Sequence, residues 1–342
     1  MPASPTAHAS PTVPTNPATV RAVLQDRYGD AGVLAVGEVA TPELRAGEVL
    51  VRVEAAGIDR GTVHLLRGLP LLARLEAGVR RPKRRVPGFD VSGIVVEVGD
   101  GVDGFSVGDA VCGIGRGSLA ELAPALARKL AHRPEEVDAV DAGVLAISGL
   151  TALQALRDAA KVEAGDEVLV LGASGGVGSY AVQLAKAMGA RVTGVCSGSK
   201  ADLVRSLGAD VVVDHATVDP LGGTATYDVI LDIGGGRPLR RLKRALRPAG
   251  TVVLVGNETG GKVAGGFLGR FLGGLLLSIG GSRRLVGFIA KEAGADVEVL
   301  LEYVTSGAVR PHVDRVVGLD GVADALRDLE AGRVRGKVAV RP

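Results

Sequence analysis

One stretch constrains the whole chain: Val168–Ala190, which reads VLVLGASGGVGSYAVQLAKAMGA. Four consecutive apolar residues, Val168 to Leu171, run into a glycine-rich turn. The turn opens into apolar positions at helical spacing, Val177, Ala181, Leu184, Ala185 and Met188. The order strand, tight turn, helix is the context in which such glycines carry meaning. Gly175 and Gly178 occupy the second and third glycine places of the dinucleotide fingerprint, and Ala173 stands at the first. Ala173, Ser174, Gly175, Gly176, Val177 and Gly178 are therefore the candidate turn for a dinucleotide cofactor. Backbone without side chains can approach a pyrophosphate there, and the free N–H groups and dipole of the helix start would hold its charge. Gly178 would let the helix pack closely on its strand.

The surroundings of this stretch set the fold class. Behind it, strands expected at Arg191–Cys196, Asp210–Asp214, Val229–Ile233 and Thr251–Val255 alternate with helices at Lys200–Leu207 and Leu239–Leu246. Such alternation predicts an α/β, doubly wound parallel sheet. A helical section beginning over Ala139–Leu156, with a clear helix over Thr151–Ala160, precedes it. From Val20 onward the pattern is instead mainly β, with short strands at Val20–Leu24, Leu34–Val39, Glu48–Ala55, Gly93–Val98 and Ala110–Gly113, and a helical turn at Val63–Arg67. A chain of 342 residues also exceeds one hydrophobic core, so two domains are expected. The divisions are a disordered Pro/Ala/Ser/Thr-rich tail over 1–19, a mainly-β domain over 20–145, the nucleotide-binding domain over 146–290, and a segment over 291–342 returning to the first domain. That last segment carries helices at Val297–Thr305 and Gly321–Leu329 and strands at Val313–Val317 and Lys337–Val340.

Charge and composition narrow the partners. The net charge of +2 produces no field that calls for nucleic acid or an acidic membrane. The basic run Arg80–Arg85 is expected to be a solvated loop, since no aromatic residue is interleaved with it to stack on bases. The two cysteines, Cys112 and Cys196, form no disulfide framework and fit a reducing, cytoplasmic location. No apolar run is long enough to span a bilayer.

Coenzyme choice follows from the end of the second nucleotide-domain strand, GVCSGSK. NAD-preferring sites place an acidic residue about 20 positions after the glycines, where it accepts the ribose 2′-hydroxyl. Cys196 stands at that place here, followed by Ser197, Ser199 and Lys200. Two hydroxyls and an ammonium would hold a 2′-phosphate that an Asp would repel, so NADPH is the expected cofactor. Ser199 capping a solvated helix start is the structural alternative.

The order of motifs VPGFDVSGIVVEVG, SGLTALQALRDAAKVEAGDEVLVLGASGGVG, GNETG and RGKVAV resembles the medium-chain dehydrogenase/reductase superfamily, within it the zinc-free quinone oxidoreductase (zeta-crystallin-like) branch. The resemblance runs from Val20 to Val340. It implies a doubly wound Rossmann domain joined to a GroES-like, mainly-β catalytic domain. Metal ligands of the alcohol dehydrogenases align with Asp59, Phe89 and a position near Ile147, and Phe89 and Ile147 cannot bind zinc. No metal is expected.

The resemblance also assigns site residues. Gly234, Gly235, Gly256 and Asn257 border the nicotinamide half of the cofactor, and Lys337 approaches the pyrophosphate or is a surface lysine on an edge strand. Asp59, His64 and Thr151 are the catalytic candidates. Asp59 could bond a substrate or ribose hydroxyl or pair with Arg60, and His64 could protonate an oxyanion or merely cap its helix. Thr151 lies close to the nicotinamide face in relatives, or is an ordinary helix-starting threonine. The expected activity is hydride transfer from NADPH to a quinone or a conjugated enone or enal, by a homodimer paired through Phe267–Ala290. Two rival functions remain: a zinc-independent reductase of simple carbonyls or alcohols, and a non-catalytic NADPH sensor that binds RNA through Arg80–Arg85.

Overall fold

The computed structural model describes residues 16–222, 226–256 and 267–342. Most of the expected tail lies outside the described residues; Asn16 is already packed, its amide donating to Glu97 at 2.8 Å. The first part of the chain forms β1 (Thr19–Gln25), β2 (Leu34–Ala40), β3 (Glu48–Ile58), α1 (Arg60–Arg67), α2 (Arg74–Ala77), β4 (Asp90–Val98), β5 (Ala110–Ile114), β6 (Leu122–Leu126) and β7 (Leu130–His132). Helices α3 (Ala139–Ala142) and α4 (Ala146–Gln154) lead through a π-helical turn, Ala155–Ala160, to β8 (Glu167–Leu171) and α5 (Gly176–Ala187). Then come β9 (Arg191–Cys196), α6 (Ala201–Ser206), β10 (Val211–Asp214), β11 (Tyr227–Asp232), α7 (Leu239–Ala245), β12 (Leu246–Leu254), α8 (Phe267–Ser278) and β13 (Arg284–Gly287). The chain closes with α9 (Gly294–Thr305), β14 (Val313–Val317), α10 (Val322–Glu330) and β15 (Lys337–Val340).

The α/β expectation holds. Six parallel strands run in the order β10-β9-β8-β11-β12-β13, with α5 packed on β8 and β9. Val168 to Leu171 are all buried, as a central parallel strand covered on both faces requires. Strand order reverses between β8 and β11, so the ligand crevice opens at the carboxyl ends of those two strands. A second sheet runs β14-β15-β3-β4-β5-β7, with β6 paired to β3 and the β1-β2 hairpin beside it. The chain's last strand is thereby internal: β15 is antiparallel to β3, with Val338 opposite Ile58, and parallel to β14.

The glycine turn differs from expectation in one detail. The left-handed residue is Gly172, at φ +92°, one position before the place of the first fingerprint glycine. Ala173 is free to carry a methyl, which is buried in the core. Gly178 does what its position implies: a Cβ there would lie 2.1 Å from the Gly172 carbonyl oxygen and 2.7 Å from Ala173 Cα. The helical section expected from Ala139 is present as α3 and α4, and the clear helix expected from Thr151 is part of a longer one that begins at Ala146 and is buried on nearly every side. Thr151 is thus mid-helix, and its hydroxyl donates back to the Ile147 carbonyl at 2.7 Å.

Gly178→Ala should lower stability by about 1–3 kcal/mol, since the clash is with backbone that cannot rotate away. Thermal unfolding would show it; an unchanged Tm would mean that α5 does not need this close approach.

Candidate active site

The crevice floor is the start of α5, capped by Gly175. As at any helix start, the first N–H groups have no intrahelical acceptor and face the crevice as donors for an anion. The turn is clamped from outside its own domain: the Gly336 N–H donates to the Ser174 carbonyl at 2.8 Å, and the Lys337 N–H to His312 O at 2.9 Å. Directly beneath, a Cβ on Gly176 would sit 3.0 Å from Ser148 Oγ and 3.1 Å from Lys337 Cδ. Only a glycine leaves that space open, and the turn's bare backbone fits a dinucleotide pyrophosphate.

One of the two readings of Lys337, a surface lysine on an edge strand, is overturned. It is 1 % exposed, on an internal strand, and its ammonium is turned away from solvent. Nζ donates to Asp90 Oδ2 at 2.9 Å and to Ser148 Oγ at 3.2 Å. Asp90 Oδ1 accepts the Ile147 N–H at 2.7 Å. Lys337 therefore supports the glycine turn from below as half of a buried ion pair. Asp90 and Ser148 went unnoticed in the sequence, although an acid inside the apolar run VPGFDVSGIVV was a signal.

Asp59 stands beside this pair. It caps α1, Oδ1 accepting the Thr62 N–H at 2.8 Å and the Thr62 hydroxyl at 3.3 Å, while Oδ2 is buried without a hydrogen-bond partner. Burial pushes its pKa above the ordinary carboxyl range; the Asp90 charge adds to this and Lys337 opposes it. Phe89 closes the same corner, 3.5 Å from where a Gly61 Cβ would be. His64 lies on the exposed side of α1, away from its buried face of Thr62, Val63 and Leu66, and its carbonyl accepts the Gly68 and Leu69 N–H groups.

At the other end of the crevice Cys196 is buried at the tip of β9, and the Ser197 and Ser199 hydroxyls are 3.4 Å apart. Ser199 is not a helix cap; it sits within a 3-10 turn, and Lys200 occupies the cap position of α6. Lys200 Nζ donates at 2.6 Å to each of the Gly332 and Val334 carbonyls, leaving one of its three donors. Burial lowers its pKa, and the positive charges of Arg335 and Arg60 lower it further, against Asp314. Sequence reasoning passed over Arg335, two positions before Lys337; it pairs with Asp202 at 2.6 Å. Asp214 lies behind Gly198, with one oxygen accepting the Ala216 N–H.

Gly234 and Gly235 follow β11, and Gly256 follows β12, with its N–H 3.3 Å from Asp232 O. Asn257 lies outside the described residues. Asp232, also unanticipated, is buried at the tip of β11 and paired with Arg270 of α8. Among the described residues no three His, Cys, Asp or Glu side chains are grouped to hold a metal.

Residues 45–135 match the alcohol dehydrogenase GroES-like domain family, and residues 207–340 the zinc-binding dehydrogenase family. The chain is 31% identical over 334 residues to the chloroplast envelope quinone oxidoreductase homolog of Arabidopsis thaliana, spanning 92% of this chain and 95% of that one. It is 30% identical to the NADPH-dependent alkenal/one oxidoreductase of the same plant, over 95% of this chain and 80% of that one. The quinone oxidoreductase structure from Coxiella burnetii superposes with a TM-score of 0.83 at 27% identity, covering 95% and 99% of the two chains. The chain belongs to the medium-chain dehydrogenase/reductase superfamily. Within it the match is to the quinone oxidoreductase-like branch, and this medium-chain reductase is a nucleotide-dependent oxidoreductase.

Because the folded Asp59 carboxyl has a raised pKa, the folded state keeps a proton that the unfolded chain has released above pH 3.8. Stability is therefore lost as pH rises from that value through the folded pKa. Asp59→Asn retains the cap acceptor without the charge, so it should raise Tm at pH 7, with the gain fading as pH falls toward 4. Equal Tm differences at both pH values would show that the buried charge is not the cause.

Proposed function

We propose that this medium-chain reductase is zinc-independent and transfers hydride from NADPH to quinones and to conjugated enones or enals. The carrying observation is the corner beside the buried Lys337–Asp90 pair. Of the three positions aligned with zinc ligands, Phe89 and Ile147 are hydrocarbon, and Asp59 caps α1 through Oδ1, leaving one carboxylate oxygen in place of a three-ligand set. Such a corner binds a flat apolar acceptor and excludes water, while providing no Lewis acid to polarise a simple carbonyl.

Bound NADPH supplies the hydride from nicotinamide C4 to a quinone oxygen or to the β-carbon of an enone. The protein's share is placement. The α5 start and the clamped Ser174–Gly178 turn fix the pyrophosphate, and the Gly234, Gly235 and Gly256 backbone leaves room for the nicotinamide half. The conjugated product anion takes its proton from solvent or from His64 on the exposed side of α1. Thr151 contributes through packing, its hydroxyl being committed to the Ile147 carbonyl. NADPH preference rests on the absent carboxylate at Cys196, the paired Ser197 and Ser199 hydroxyls, and the positive cluster of Lys200 and Arg335. The buried thiols of both cysteines suit a reducing compartment, and the cytoplasm is the proposed location.

A homodimer is part of the same proposal, with one change from expectation. Half of Phe267–Ala290 is helix α8, and only β13 is strand, at the sheet edge. Leu275 and Leu276 on α8, Ile279 just after it and Ile289 after β13 are each more than 60 % exposed, an apolar surface suited to a second copy. Leu276→Asp should shift the protein to monomer in sedimentation; a wild-type monomer would remove the dimer.

Steady-state cofactor oxidation against quinones, enones and saturated aldehydes tests the activity. Quinones or enones should be turned over with NADPH, and prior treatment with a zinc chelator should change nothing. Ser199→Asp should raise KM for NADPH by about tenfold while leaving NADH nearly unaffected, the effect of replacing a phosphate donor by a like charge. Turnover of saturated aldehydes alone, or loss of activity to the chelator, would overturn the proposal.

A further inference from the structure

The segment from Leu71 to Arg85, LLARLEAGVRRPKRR, plays no part in the activity above. Its apolar side chains are turned outward: Leu72 is 50 % exposed, Leu75 71 % and Val79 65 %. Leu72 lies in a 3-10 turn, Leu75 in the short α2, and Val79 two residues after it. Six basic residues and one acid, Glu76, lie in the same fifteen positions. Arg80, Arg81 and Lys83 are exposed immediately after Val79.

This surface is built and held from beneath. The Tyr28 hydroxyl donates to the Gly78 carbonyl at 2.6 Å, and the Arg74 guanidinium lies 4.2 Å over the Tyr28 ring while donating to Gly68 O at 2.9 Å. The Gly78 N–H returns to Arg74 O and the Lys83 N–H to Ala77 O, both at 2.8 Å. Arg85 ties the end of the segment to Asp26. Arg74 is thus used inward as a strut and Arg85 is tied to Asp26 at the surface, while aliphatic side chains and three further cations are exposed.

We propose that residues 71–85 dock the protein on an anionic lipid surface. Aliphatic side chains that can enter the headgroup boundary, next to cations that attract acidic headgroups, form the pairing in which insertion and charge attraction add. No aromatic residue lies between positions 71 and 85, so a single-stranded nucleic acid would find charge there but nothing to stack on. A surface that only lies on lipid needs no spanning segment, and no described helix is long and apolar enough to be one. The segment leaves from α1, capped by Asp59, and returns at Phe89, which stands beside Gly61 at the start of that helix. Docking is independent of the acceptor chemistry proposed above; where both hold, the surface brings the site to acceptors dissolved in lipid.

The test is co-sedimentation of the full chain with phosphatidylcholine vesicles, with and without phosphatidylglycerol. Binding should require the acidic lipid and weaken with salt. Both Arg80→Glu/Arg81→Glu and Leu72→Ser/Leu75→Ser should reduce it by at least about tenfold. NADPH binding in solution should be unchanged in both variants, which keeps misfolding apart from lost docking and does not depend on the acceptor. No binding of the wild type to acidic vesicles would overturn the proposal. So would binding that both variants retain, or binding to single-stranded RNA that is lost in the arginine variant and kept in the leucine variant.

Discussion

The buried ion pair between Lys337 and Asp90 is the contact on which the site depends. It draws together parts of the chain that are far apart in sequence: the start of β4, the Ile147–Ser148 turn of α4, and the first residue of β15, all beneath Gly176 of α5. Removing two charges from water costs several kcal/mol for each ion, and their attraction offsets this only when the remaining donors and acceptors are satisfied. Here they are met by the Ser148 hydroxyl and the Ile147 N–H. A pair of this kind adds little over well-packed hydrocarbon, but either partner alone would be an uncompensated charge. What the pair provides is position. With the lysine at Asp90, β15 has one register on β3, and Gly336 meets Ser174.

The same pair sets the character of the catalytic corner. One ammonium faces two carboxyls, and Asp90 holds it by direct contact. Asp59, desolvated and beside a charge of its own sign, is driven toward its neutral form. A metal ligand would have to be an anion or a neutral imidazole or thiolate in this place, with two more like it. Hydrocarbon at Phe89 and Ile147 and a disfavoured carboxylate at Asp59 make the corner apolar as well as metal-poor. Hydride transfer to a conjugated acceptor asks for such an environment, because charge in the product is spread over the acceptor rather than held by the protein.

Much of the fold was legible because it rests on steric and solvation rules that act locally. β9, β14 and β15 lie where alternation and β-branched residues put them, and α9 and α10 differ from expectation by a few residues at their starts. The unexpected strands share a different cause. β6 reads LAPAL, with a proline at its centre, and is a strand because β3 is there to pair with it. β7 is three residues long, too short for periodicity to register, and β13 reads RLVG, with a single β-branched residue to mark it. In α4 burial on almost every side removes the amphipathic signal, so the helical section from Ala139 could be expected but not the break between α3 and α4 within it.

The site divides along the same line. Where the backbone itself is the feature, the sequence is informative, since a missing side chain is visible directly; the strand, glycine turn and helix around Gly175, Gly176 and Gly178 lie where they were expected. Where side chains bind, their meaning depends on segments that only the tertiary fold brings together. Lys337 reads as a free cation until Asp90, nearly 250 positions earlier, is found to hold it. Lys200 reads as a phosphate ligand with three donors, but two carbonyls from the last turn of the chain take two of them and leave one. Both lysines tie the parallel sheet, or the helix that precedes it, to the returning C-terminal segment: Lys200 holds the Gly332 and Val334 carbonyls, three to five residues before Lys337, which holds Ser148 beneath the glycine turn.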